Sequence, residues 1–159
     1  MDDVWTLVRF LHLLGVVLWI GGIVMLGAVV VPAARMAGDR AAGRRVMVAA
    51  ARRYGIVGAV AWILIAVTGM GLLDHRGLSL GDLPDTDYGQ RLLAKICLLL
   101  AMGVVAVLHG AWQGPRVGRA LAAGDEAGAR RWRVVGAGFD ALLLLGSLAA
   151  LWLATSLVA

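Results

Sequence analysis

Four long apolar stretches, none interrupted by proline, constrain this chain more than any other feature. They run from about Val4 to Val31, Gly55 to Leu73, Leu92 to Trp112 and Val134 to Val158. A bilayer core about 30 Å thick takes about 20 mostly apolar residues in helix, and each stretch meets that length. Barrel strands would alternate at period 2 over about 10 residues, which these stretches do not. The expected fold is all-α: an integral membrane bundle of four antiparallel helices forming one domain over residues 1–159, with Pro32 closing the first span. Hydrophobic residues are 61% of the chain and charged residues 16%, which sets aside a soluble globular domain and a disordered one. The acidic flank Met1-Asp2-Asp3 and the length of the first stretch read as a retained helix, not a signal peptide. No internal repeat stands out.

The net charge of +5 is distributed in a way that points to a membrane and not to nucleic acid. Eleven arginines lie in the two outer connections: Arg35, Arg40, Arg44, Arg45, Arg52 and Arg53, then Arg116, Arg119, Arg130, Arg131 and Arg133. The middle connection carries Asp74, Asp82, Asp85 and Asp87 against only Arg76 and Arg91. Basic loops stay in the cytoplasm, so both termini and the Asp-rich segment are expected on the non-cytoplasmic side of a cytoplasmic (inner) membrane. Trp5, Trp112, Trp132 and Trp152 fall toward span ends, where aromatic belts form, while Trp19 and Trp62 lie deeper.

Ionisable groups inside a bilayer are expensive, so His12, Lys95, His109 and Asp140 are the candidate functional residues. At 1.5 Å per residue, His12 lies about 10 Å inside the first span, with Lys95 and Met70 about one turn inside theirs. His109 and Asp140 fall toward the opposite side and are expected to pair, as buried charges in spans do. Lys95, Met102 and His109 recur every seven residues and share a helix face, expected to point inward, as are Asp140 and Ser147. His12 has no acid at its own depth. Imidazole and thioether are ligands for copper and for haem iron, which makes His12, Met70, Met102 and His109 the candidate metal ligands and His12, Lys95 and His109 the candidate cofactor residues. Met25 and Cys97 read as buried filler and His75 as a solvated loop residue. The lone cysteine forms no internal disulfide.

The segment Phe10-Leu11-His12-Leu13-Leu14-Gly15, followed by Leu18-Trp19-Ile20-Gly21-Gly22, resembles the opening helix of the copper-resistance D (CopD) domain family. Thr86 to Lys95, with its Tyr88-Gly89 pair ahead of a Leu-rich helix bearing Lys95, is similar to a later element of that family. Arg52-Arg53-Tyr54 and Thr68-Gly69 fit the same pattern. The resemblance implies a four-helix membrane protein that binds copper or carries it across the membrane. It also implies a periplasmic copper-binding partner as candidate partner. The related HemJ-type four-helix family is associated with haem b, and that similarity implies an alternative: a membrane redox protein, enzyme or electron carrier, with His12 axial, Lys95 at the site and a membrane redox partner. A structural subunit of a larger complex, or of a homo-oligomer, is the third reading.

Overall fold

The computed structural model describes residues 2–156, with side chains from Asp3 onward; Met1 and residues 157–159, including Val158 of the expected fourth span, lie outside the described residues. Among the described residues the structure is helical throughout, with no strand. The chain divides into two compact units, one ending at Gly81 and the other beginning at Asp82.

In the first unit, α1 (Asp2–Met25) passes through a single π-helical turn (Leu26–Val30) into the short α2 (Val31–Met36), and α3 (Arg40–His75) returns along α1. The second unit has the same plan. Helix α4 (Asp87–Leu108) passes through a π turn (His109–Gln113) into α5 (Gly114–Ala122), and α6 (Glu126–Thr155) packs back on α4 and α5. Four continuous helical stretches are long and apolar enough to cross a membrane: Asp3–Met36, Arg40–His75, Asp87–Ala122 and Glu126–Thr155.

Each boundary has a local cause. Asp39, Thr86 and Asp125 are side-chain N-caps, accepting from the amides of Ala41 (2.8 Å), Gly89 (3.0 Å) and Gly128 (2.8 Å). Helices α3 and α5 end in the same glycine stop. Gly77 (φ 69°) donates to Asp74 O while Leu78 donates to Leu73 O, and Gly124 (φ 70°) donates to Leu121 O while Asp125 donates to Ala120 O.

Two expectations are corrected here. Pro32 does not close the first helix: it sits in the first turn of α2, where its missing N–H is not needed, and the preceding π turn carries the helix to Met36. The chain also does contain a repeat, of architecture. Pro115 stands after the second π turn as Pro32 stands after the first, and Gly124-Asp125 with Arg130-Arg131 matches Gly38-Asp39 with Arg44-Arg45. The helical faces differ too much for the sequence alone to show it.

Within the first hairpin the contacts run in reversed order along α1 and α3. Trp5 stacks on His75 (3.8 Å), His12 meets Thr68, Gly15 lies on Ala61 and Ile65, and Trp19 and Gly22 receive Tyr54. Within the second, Arg91 reaches Ser156 O (3.3 Å), Met102 meets Ser147, His109 meets Asp140 and Gln113 meets Trp132. Small residues sit where a neighbour comes closest. A Cβ on Gly22 would lie within 1.9 Å of the Tyr54 ring, and one on Gly89 within 2.1 Å of the Leu83 carbonyl.

Candidate functional site

The first hairpin builds its polar site around His12. Nearly three turns into α1, the imidazole Nδ1 lies 2.9 Å from Thr68 Oγ1 on α3. The Thr68 hydroxyl has one proton, and it donates that proton back to the Leu64 carbonyl of its own helix. Its oxygen is therefore placed to accept from His12 Nδ1. Gly69 makes room for the ring, since a Cβ there would stand 3.3 Å from His12 Cε1. Thr68 is buried and His12 half-buried. Sequence reasoning missed this hydroxyl by looking for an acid at the depth of His12. The signal was the Thr68-Gly69 pair, one residue to bond the ring and one to admit it.

A little deeper in the same hairpin, the Tyr54 hydroxyl donates to Trp19 O (2.7 Å), and its ring fills the space left by Gly22 and Gly58. Trp19 is buried. The Trp-x-Gly-Gly run is thus a docking face for Tyr54.

The second hairpin holds a different site. His109 opens the π turn and places Nε2 3.4 Å from Asp140 Oδ1 on α6. Phe139 flanks the ring at 5.6 Å, and Nδ1 is buried without a hydrogen-bond partner. The expected inward placement holds only in part: His109 is 29% exposed, but Asp140 is 64% exposed, because it lies at the edge of the contact between α4 and α6. Four residues on, Gln113 is buried and donates Nε2–H to Trp132 O (2.7 Å) across the space left by Gly136. That residue was not anticipated, since an amide next to Trp112 reads as the polar end of a span.

The remaining candidates are scattered. Met70 is 48% exposed and about 200° round α3 from Thr68, so it does not join His12 in a donor set. Met102 is buried, with its sulfur over Gly146 and accepting from Ser147 Oγ (3.6 Å); it fills the contact between α4 and α6. Lys95 is half-buried on α4. Cys97, expected to be buried, is exposed, because it faces away from the α6 side of α4. His75 is exposed, as expected, but it ends α3 instead of lying in the loop, and it stacks on Trp5 with the rings nearly parallel, at 13°. Among the described residues no three His, Cys, Asp or Glu side chains gather so as to hold a metal ion.

Membrane-length helices with polar groups set inside them define a class: helical proteins compatible with several crossings of a membrane. The chain belongs to the copper resistance protein D (CopD) family, which matches residues 48–156. The match begins inside α3, so it takes in Thr68, Lys95, His109 and Asp140 and leaves out α1 with His12. No curated protein and no solved structure matches the chain.

Proposed function

We propose that this chain handles copper in the cytoplasmic (inner) membrane, binding the ion or passing it across, with the His12 imidazole as its main point of contact. The family membership supports copper as the cargo. The observation that carries the residue is the His12–Thr68 hydrogen bond, since a metal-binding imidazole characteristically donates its other N–H to a fixed acceptor. Imidazole is a good copper ligand. The arginine distribution supports both termini on the non-cytoplasmic side, where a periplasmic copper-binding partner would deliver or collect the ion. No observation favours the haem alternative.

The test is copper binding by the purified protein in detergent, measured by competition with a chromogenic Cu(I) chelator. His12→Ala should abolish binding while leaving the helical signal intact. Thr68→Val, which keeps shape and removes the acceptor, should weaken it about 10- to 100-fold. Unchanged copper affinity in His12→Ala would remove the assignment, and a Soret band from the purified protein would replace copper by haem.

A further inference from the structure

The facing sides of α1 and α3 repeat every seven residues, and His12 occupies one rung of that seam. Residues seven apart fall within about 20° of one another around a helix. On α1 the series is Trp5, His12 and Trp19; on α3 it is His75, Thr68, Ala61 and Tyr54. His12 is therefore bracketed by an aromatic rung on either side, and the two rungs are built differently. Toward Trp19 the seam is shut: a Cβ on Gly15 would stand 2.9 Å from Ile65 Cγ1 and 3.1 Å from Ala61 O. Beyond that contact Trp19 is buried, and the Tyr54 hydroxyl is bonded to its carbonyl at 2.7 Å. The Trp5–His75 rung lies on the other side, about 10 Å outward along the axis, and has no such lock. Its two rings meet by their faces, 3.8 Å apart, with His75 exposed and Trp5 half-buried. Stacking engages the π faces and leaves the ring nitrogens, which bond in the plane of the ring, unused. Neither His75 nitrogen has a hydrogen-bond partner among the described residues.

We propose that His75 is the entry ligand of this hairpin: Cu(I) is taken up first by a ring nitrogen of His75 and passes from there to His12. The inference rests on the copper reading of His12 and adds the side from which the ion arrives and the residue that first holds it. Imidazole is a copper ligand, and the stack on Trp5 fixes the plane of this one while its donor atoms stay open. Metal–imidazole bonds are about 2 Å long, so histidines one rung apart act in succession and not on one ion. A single exposed nitrogen holds the ion weakly, which suits a hand-off, because a tight outer site would keep the ion from His12. Passage inward parts a stack that has no hydrogen bond to break, whereas passage past Trp19 would break one and force a backbone contact apart. The arginine distribution favours the His75 end for the non-cytoplasmic side.

The experiment follows, by stopped flow, the transfer of Cu(I) from a chromogenic chelator complex to the full chain in detergent, recording both the rate and the final occupancy. His75→Phe keeps a ring on Trp5 and removes the nitrogens; it should slow transfer about tenfold or more and leave the final occupancy unchanged. His75→Met returns a soft donor without the imidazole ring and should recover most of the wild-type rate. Both variants should keep the wild-type helical signal. Transfer to His75→Phe at the wild-type rate would overturn the proposal and leave the His12 reading standing. A His75→Met chain as slow as His75→Phe would also overturn it, since the stack and not the donor atom would then be what matters. So would a His75→Phe chain with lowered final occupancy, which would make His75 part of the resting site. Failure of the copper reading itself shows elsewhere, as wild-type uptake by His12→Ala or no uptake by wild type, and either result removes both.

Discussion

The two hairpins share one plan and differ in how each accommodates its histidine. In the first, His12 is bonded to a neutral hydroxyl that is itself buried, and no charge is needed to hold it. In the second, His109 faces a carboxylate that is mostly exposed, and its Nδ1 is left unpartnered. An imidazole oriented by a hydroxyl is suited to accept a cation, while one already opposite a carboxylate is engaged by that partner. The comparison teaches that depth and residue type do not set a histidine's surroundings; the partner on the facing helix does.

The sharpest way to break the comparison is to exchange the roles of the histidines. His12→Ala should eliminate copper binding and His109→Ala should change the copper affinity less than about threefold, within the effect expected of a residue with no contact to the ligand. Equal losses would make the two hairpins one site.

The next effect is on stability and compares the two turns. Gly43 lies against a backbone atom, 2.2 Å from Ala34 O to the position of a Cβ, whereas in the second turn the clash at Gly128 is with the side chain of the helix cap, Asp125. Gly43→Ala should therefore cost about 1–3 kcal/mol, because the backbone of α2 must move. Gly128→Ala should cost about 1 kcal/mol, the value of the cap it displaces. Denaturation in mixed micelles, with helical signal as readout, would show a reversed order if the first turn is the softer one.

A smaller effect is expected at His109–Asp140. A double-mutant cycle with His109→Ala and Asp140→Ala should give a coupling of about 0.6 kcal/mol and no more than about 1.7 kcal/mol, the range seen for polar pairs between membrane helices. Strict additivity of the two losses would show that the 3.4 Å approach contributes nothing. The orientation of the whole can be checked by labelling. On a Cys97→Ser background, needed because Cys97 is exposed, Ser79→Cys should react with an impermeant thiol reagent applied to intact cells and Ala41→Cys, also at an exposed position, should not. The opposite pattern would turn both hairpins over.

Much of the fold was legible because length and hydropathy decide helices of this kind. The sequence marks each apolar stretch, and the Asp39, Thr86 and Asp125 caps stand at its edges in plain view. The continuation of α1 through Pro32 was not legible, because a wide turn ahead of a proline has no compositional signature. At the site, His12 was found by its cost to the membrane, and Thr68 was missed because a hydroxyl carries no such cost. Gln113 was missed for a related reason: its neighbours on α6, Trp132 and Gly136, are brought to it only by folding. Cys97 was misjudged because one residue's orientation on a helix is a tertiary fact; the stacking of the exposed His75 on Trp5, 70 residues away, is another that no sequence pattern marks.

The paired π turns have a meaning for how such a chain can vary. Each closes with an amide bonding to the fifth residue back, Val31 to Leu26 and Gly114 to His109, so each holds one residue more than an α turn would. These are the points where a single-residue insertion is absorbed locally while the helix on either side keeps facing its partner. Shortening the chain by one within Leu26–Val30 would restore a regular helix and leave His12 opposite Thr68. The same deletion within His109–Gln113 would remove a turn that begins at the histidine itself. A change of length is therefore absorbed at the first turn, whereas at the second it would disturb the His109–Asp140 contact.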